Sequence, residues 1–409
     1  MSHPCPASPT PRPLPGAPTE TDIVVVTYFY PHQVGFGDFA QRVASLAGLG
    51  RVLLVSRQDI AELPEFRDIP FVQQVIDNPS ESLAGIVRYL AAAARIVRRA
   101  RPRVVVCLGT QVSMLPLLIP GTPALVYWNE HPLHIFESRA GRLKQFAKDA
   151  ARRLCFAGAR RARFAMPISA MMRDDLMDHG VPGDRCPVVP MGVVEAFGAR
   201  PGRRAARGDA GSPIRLLYAG TVAPERGRDV MLEGLARARS RGVDVRLDLI
   251  GASSDQIDYC RTRIEELGLG GAVSVEGRIP ISAVPDRIAE ADGGICLWED
   301  RPYWRFNPPT KLFEFLVAGV PVLASRIRTH TAYVRDGENG LVFDYDADHF
   351  AAAILRFAAL GPQRRRLAES AARDGAAYLW IRSETAFQAL VKDAMQASGR
   401  PARVPAPAS

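Results

Sequence analysis

The hydrophobic positions of the chain fall into two series of short apolar runs, and a stretch with helical spacing separates most of them. In the first series Ile23–Thr27 reads IVVVT, a continuous apolar run of the kind expected for a parallel strand covered on both faces. A loop over 28–38 follows, then helical spacing through Phe39, Val43 and Leu46 and a second strand over 51–56, so the chain opens with a βαβ unit. Further strands are expected over 104–108, 124–128, 164–168 and 186–189. The second series places strands over 214–219, 245–250, 273–276, 294–297, 320–325 and 340–343, with helical stretches between them. Beyond Pro362 the pattern is helical through Val391.

Two α/β halves in succession predict two Rossmann-like domains facing a central cleft. Between them 197–213, FGARPGRRAARGDAGSP, combines glycine, proline and arginine without apolar periodicity, the signature of a linker. The expected organisation is a disordered leader over 1–21, an N-terminal domain over 22–197, a linker over 198–213 and a second domain over 214–376. A tail over 398–409 is expected to be disordered.

At 409 residues, with 47% hydrophobic and 23% charged positions, the composition is that of a folded globular protein, which excludes disorder of the whole. The net charge of +9 favours an anionic partner: a nucleotide diphosphate, a lipid headgroup surface or nucleic acid. Six cysteines without a C-x-x-C pair suggest neither a disulfide framework nor a zinc site, and a reducing cytoplasm is the expected location. The start of the chain, MSHPCPASPTPRPLPG, is proline-rich and lacks the apolar core of a signal peptide. Residues 104–128 are uncharged and nominally long enough to span a bilayer. Gly109, Gln111, Pro116, Pro120, Gly121 and Pro123 interrupt them, so strand, turn, short helix, turn and strand are expected instead.

Between the strands at 124–128 and 164–168, the stretch 139–163 carries nine basic residues against the single acid Asp149. Leu143, Phe146, Ala147, Ala150 and Leu154 recur there at helical spacing, giving a basic amphipathic helix. One expectation is that this apolar stripe packs on the sheet while the basic face is solvated; the other is contact with an anionic membrane surface. Few aromatic residues interleave with the basic ones, which argues against nucleic acid as the partner.

Candidate chemistry concentrates in the second series. In the stretch 309–325, PTKLFEFLVAGVPVLAS, a short helix runs straight into a strand, with Lys311 and Glu314 one helical turn apart. The residues alone allow either a surface ion pair or a charged mouth. The stretch 217–227, LYAGTVAPERG, is a strand, a glycine turn and the approach to a helix, an arrangement that offers backbone N–H groups to a phosphate, with Arg226 as a forked donor. In the first series, Gly35 and Gly37 lie in the loop after the first strand, where backbone can approach a ligand. Glu130 and His131 close a strand ahead of Pro132.

The stretch 309–325 resembles the donor-site helix of the retaining glycosyltransferases of the GT-B fold, especially the family 4 type. That resemblance implies the GT-B architecture, with 378–380 crossing back so that a helix over 377–397 returns to the first domain. It implies transfer of a sugar from a nucleotide-diphosphate sugar to a sugar, glycan or lipid-linked acceptor, with no metal or cofactor. Peripheral contact with the inner face of a membrane through 139–163 is compatible with this.

By position in the motifs, donor binding is expected at Gly35, Gly37, Gly220, Thr221, Arg226, Arg278, Thr310, Lys311, Leu312 and Glu314, with Glu314 on the ribose. Glu130, His131, Arg226 and Lys311 are the catalytic candidates, the first two beside the reacting sugar. Two departures from the family pattern matter. Thr221 stands where the family has an arginine on the diphosphate, with Arg228 or Arg305 as candidate replacements, and Arg226 stands at the lysine position. Phe306 stands where the first glutamate of E-x7-E meets the donor sugar, leaving Glu299 or Asp300 as candidate carboxylates from the preceding loop. Two alternatives stay open: a non-catalytic nucleotide-sugar-binding protein, which the missing glutamate favours, and a GT-B nucleotide-sugar epimerase, which should carry more carboxylates and histidines in the cleft.

Overall fold

The computed structural model describes residues 21–29, 36–78, 82–135, 142–198 and 212–400. Gly35, most of the leader and linker, and all of the tail beyond Arg400 therefore lie outside the described residues. Two parallel six-stranded sheets carry the fold. The first contains β1 (Ile23–Thr27), β2 (Val52–Ser56), β3 (Val72–Val75), β4 (Val104–Leu108), β5 (Ala124–Trp128) and β6 (Phe164–Pro167), in the order β3-β2-β1-β4-β5-β6. The second contains β7 (Ile214–Ala219), β8 (Val245–Ile250), β9 (Val273–Glu276), β10 (Gly293–Cys296), β11 (Val322–Ser325) and β12 (Gly340–Phe343), in the order β12-β11-β10-β7-β8-β9. Each sheet reverses direction between its first and fourth strands, β1 and β4 or β7 and β10. Ligands of such sheets bind at the carboxyl ends flanking that reversal.

The continuous apolar runs form strands because helices cover both faces: every residue of β1, β2, β4 and β5 is buried. Two expectations about the first sheet are corrected. The segment 186–189 is not a strand; Pro187 lacks an N–H, and a single bond from the Val189 N–H to the Pro167 carbonyl is the pairing it makes with β6. The sixth strand is instead β3, whose sequence VQQV carries no apolar run. It pairs at the edge of the sheet, where the Gln73 amide bonds the Ser56 hydroxyl and the Gln58 carbonyl.

The chain crosses back after the second half. Val193 pairs with Leu379: its N–H donates to the Tyr378 carbonyl at 2.9 Å, and its carbonyl accepts the Trp380 N–H at 2.8 Å. The helix Trp380–Ala397 then packs on the first sheet, burying Phe387, Val391, Ala394 and Met395 in that core. Fully buried Arg42 ties the crossing down, donating to Asp38, the Tyr127 hydroxyl, the Pro190 carbonyl and the Ser383 hydroxyl. Across the cleft Asn307 clamps the end of β5. Its Oδ1 accepts the His131 N–H at 3.1 Å, and its amide donates to the Asn129 carbonyl at 3.3 Å. Beside it, the Ser169 hydroxyl donates to the Phe306 carbonyl at 2.9 Å.

The helix Arg142–Arg161 does not bury the stripe expected of it. Ala151, Cys155, Phe156 and Ala159 face the sheet, whereas Phe146 is 70% and Leu154 48% exposed. The 3.6-residue period fits two apolar faces of this helix, and small residues pack closest to the sheet. Among the described residues no helix is long and apolar enough to cross a membrane.

Candidate active site

A cleft of about 580 Å³ opens between the two halves at the reversal point of the second sheet. From the first half Asn129 and Glu130 line it, and from the second half Gly220, Thr221, Arg226, Arg278, Thr310, Lys311 and Glu314. Seven of the expected donor-binding residues thus meet in one place. Gly37, by contrast, sits in the first turn of the helix Phe36–Ala47, away from the cleft lining, and a Cβ there would touch nothing within 4 Å. Leu312 is fully buried in the core of the second half, and its N–H is spent on the Pro309 carbonyl. Its side chain therefore cannot take the donor-binding role expected of it.

Local geometry explains why the charged residues converge. The helix Thr310–Val317 turns Leu312, Phe313, Phe315 and Leu316 into the core, which leaves Lys311 and Glu314 one turn apart on the cleft face. Gly220 has φ of 141° and passes close to Lys311: a Cβ there would stand 2.8 Å from Nζ. Only glycine both tolerates that backbone and leaves room for the ammonium. The ammonium rests 3.4 Å from the Tyr218 ring centroid.

Burial pushes the Lys311 ammonium down to about 7, opposed by Cys296 and Glu314 and assisted by nearby Arg226. Burial likewise pushes the Glu314 carboxyl up to about 7, opposed by Lys311. Among the described residues these two do not form an ion pair with each other or with a third group. Both side chains stay partly open to the cleft, so each is available to whatever enters.

Arg226 ends the short turn Pro224–Arg226, ahead of Gly227, whose φ of 77° starts the helix Arg228–Ser240. Its guanidinium lies 4.6 Å from the ring centre of Trp298 and 4.7 Å from that of Trp304. Among the described residues it meets no carboxylate. The candidate replacement cations are otherwise engaged. Arg228 bonds Asp229 and Gln256 and stacks on Tyr259, and Arg305 is held by both oxygens of Asp300. Glu299 pairs with Arg301, so neither it nor Asp300 reaches into the cleft lining.

The structure separates Glu130 from His131. Glu130 faces the cleft, while His131 lines a second cavity of about 500 Å³ together with Phe306, Phe156, Arg152, Arg153, Arg160, Asp175 and His179. Both ring nitrogens of His131 are taken. Nδ1 accepts the Leu133 N–H at 3.2 Å, which leaves the proton on Nε2, 3.1 Å from Asp175. The Phe306 ring stacks on the imidazole with centroids 4.1 Å apart and planes at 12°. Phe306 therefore packs on His131 in the lining of the second cavity, and both ring nitrogens of His131 are already bonded. Trp298, Trp304, Tyr218, Asn129 and Asn307 are cleft residues that pattern reading did not find. No spacing rule marks them, since each arrives through a fold-dependent contact.

Residues 213–359 match the family described as glycosyl transferases group 1. A D-inositol 3-phosphate glycosyltransferase from Acidothermus cellulolyticus is 29% identical over 230 residues, a match that covers 53% of this chain and 50% of that relative. The chain thus spans about half the length of that curated relative. Anabaena HepE in complex with UDP and glucose has a similar structure, with a TM-score of 0.68 at 14% identity over 90% of this chain and 99% of that one. Sucrose-phosphate synthase from Thermosynechococcus elongatus gives a TM-score of 0.68 at 16% identity, covering 92% of this chain and 100% of the other. At these identities the structural likeness establishes the fold, which is GT-B.

Proposed function

We propose, because residues 213–359 are a glycosyl transferases group 1 domain within a GT-B fold, that the chain transfers a sugar from a nucleoside-diphosphate sugar to a hydroxyl-bearing acceptor. One observation carries this reading. Among the described residues Lys311 and Glu314, one helical turn apart on the cleft face, form no ion pair, and the neighbouring Arg226 meets no carboxylate. Unpaired charge in a low-dielectric cleft is costly, and a diphosphate with its ribose is the kind of ligand that relieves it. On this reading Glu314 binds the ribose hydroxyls, and Arg226 with Lys311 meets the diphosphate.

The mechanism that fits is departure of the nucleoside diphosphate from the anomeric carbon, with its growing charge met by Arg226, Lys311 and backbone N–H groups. As the C–O bond to phosphate breaks, the acceptor oxygen bonds the same carbon from the same face, and the departing phosphate oxygen takes the acceptor proton. Configuration is then retained. Glu130 and Glu314 are the carboxylates among the lining residues, and with Glu314 on the ribose, Glu130 is left to bind hydroxyls of the sugar or acceptor. On this reading the second cavity, lined by Phe156, Phe306, Arg153 and Arg160 together with Asp149 and Asp175, takes an acceptor bearing an anionic group. The name of the Acidothermus relative, an inositol phosphate enzyme, agrees with that class.

Incubation with a panel of UDP-, GDP- and ADP-sugars tests the function. Release of nucleotide coupled to a glycosylated product, with its anomeric configuration read by NMR, is the expected result. Exchange of one free nucleotide sugar for its epimer would favour the epimerase alternative, and tight binding without turnover the non-catalytic one. The exposed Phe146 and Leu154 on the basic helix Arg142–Arg161 favour a peripheral position at an anionic membrane surface, consistent with a cytoplasmic enzyme.

A further inference from the structure

We propose that Trp298 and Trp304 are positioning residues of the phosphate site, holding the Arg226 guanidinium against their ring faces so that its charge stays free for the departing diphosphate. This rests on the nucleotide-sugar reading of the cleft given above. The three groups form a near-equilateral contact. The guanidinium carbon is 4.6 and 4.7 Å from the two ring centres, and the indoles are 5.2 Å from each other at 30°. Both indoles line the cleft yet are almost fully buried, at 8% and 4% exposure.

An arginine beside a cleft ordinarily finds a carboxylate, and that pairing would cancel the charge the reaction needs. Here the acids that follow Trp298 are held elsewhere, Glu299 by Arg301 and Asp300 by Arg305, and Asp229 near Arg226 is held by Arg228. An aromatic face attracts a cation through its quadrupole but offers no lone pair that competes for N–H donors, so the donors on the edge of the guanidinium remain available to phosphate oxygens. A planar guanidinium exploits two ring faces better than a lysine ammonium does. This gives a physical reason for arginine at 226 when Thr221 has replaced the other expected cation.

The backbone that carries the indoles is in turn fixed by a buried polar layer at the end of β11. Ser325 accepts the Trp298 backbone N–H through its hydroxyl oxygen at 3.0 Å and donates to the Trp298 carbonyl at 2.8 Å. The Thr329 hydroxyl donates to the Trp304 carbonyl at 2.7 Å. His330, fully buried 5.5 Å from the Trp298 ring, is pushed down to about 3 by burial and so stays neutral behind the indole. A charged imidazole there would repel Arg226 through the ring.

The test is a double-mutant cycle in the full chain, read by donor turnover and by UDP and GDP affinity. Trp304→Leu is expected to lower kcat/KM by about tenfold, mostly through kcat, because the lost orientation matters most as charge develops on the phosphate. Trp304→Phe, which keeps a π face, should restore most of that loss. On an Arg226→Ala background Trp304→Leu should cost less than about twofold, since the group it positions is already gone. An equal loss on both backgrounds, or normal kcat in a folded Trp304→Leu variant, overturns the inference while leaving the nucleotide-sugar reading intact. If Trp304→Leu does not fold, Trp298→Leu, which removes the other ring face, carries the same cycle with the same criterion. Failure of the unsubstituted protein to bind or turn over any UDP-, GDP- or ADP-sugar overturns the underlying reading itself.

Discussion

Binding of a nucleoside diphosphate should draw protons from solvent, in an amount set by Lys311 and Glu314. Burial pushes the Lys311 ammonium down to about 7, so at pH 7.5 about a quarter of free molecules carry that charge. A diphosphate held against Nζ restores an opposite charge, making the lysine almost fully protonated in the complex, an uptake of about 0.75 proton. Glu314, pushed up to about 7, is about one quarter protonated at the same pH. Ribose hydroxyls donate to its ionised form, which releases about 0.25 proton. The net expectation is uptake of about half a proton per nucleotide bound at pH 7.5.

Titration calorimetry with UDP and GDP in buffers of different ionisation enthalpy measures this number directly. Glu314→Gln should raise the uptake toward about 0.75, and Lys311→Met should convert it to a release of about 0.25. Affinity of the unsubstituted protein should fall by up to about tenfold for each pH unit above 8, as Lys311 must be reprotonated to bind. Proton uptake that is unchanged in Lys311→Met, or absent in the unsubstituted protein at pH 7.5, would refute the placement of the diphosphate on this lysine.

Three further outcomes are expected. The Glu314 carboxyl is raised above its unfolded value, so its burial costs nothing below about pH 4.5 and most above about pH 7. Glu314→Gln should accordingly raise Tm at pH 8 but not at pH 4, while weakening nucleotide binding at least about tenfold; unchanged affinity would remove Glu314 from the ribose site. Arg226→Ala should lower turnover by about 10²–10³ with the fold intact, and Arg226→Lys should recover part of it; near-normal turnover of the alanine variant at saturating donor would place the phosphate contact elsewhere. Sedimentation with phosphatidylglycerol vesicles should capture the protein at low salt and release it at high salt, and Phe146→Ser should weaken capture; equal recovery with neutral and anionic vesicles would leave the helix Arg142–Arg161 as a solvated surface element.

Much of the architecture was legible because the strands of a covered parallel sheet announce themselves. IVVVT in β1 and VVVCL in β4 have no polar residue at alternate positions, and no other common element reads that way at that length. The strand β3 escaped because VQQV sits at an edge, where glutamines bonded to the neighbouring strand serve as well as apolar residues. The 186–189 segment misled because its apolar character comes from burial beside β6, without the donors a strand needs. At the site, Lys311 and Glu314 could be paired on one face from their spacing alone, since both belong to one helix.

What the sequence determined by itself is therefore local: strands, helices, the glycine turn before Arg226 and the charged turn at 311–314, each fixed by residues a few positions apart. The tertiary structure decided the rest. It brought Asn307 to His131 just beyond β5, 176 residues away in the chain, and stacked Phe306 on His131, a catalytic candidate whose two ring nitrogens are bonded to other partners. It also turned Phe146 and Leu154 outward and set Arg226 against two indoles instead of a carboxylate. Helical and strand periods record which face of an element is buried, but not what lies opposite it. That depends on how the two sheets close on each other, through contacts between residues whose separation along the chain leaves no periodic trace.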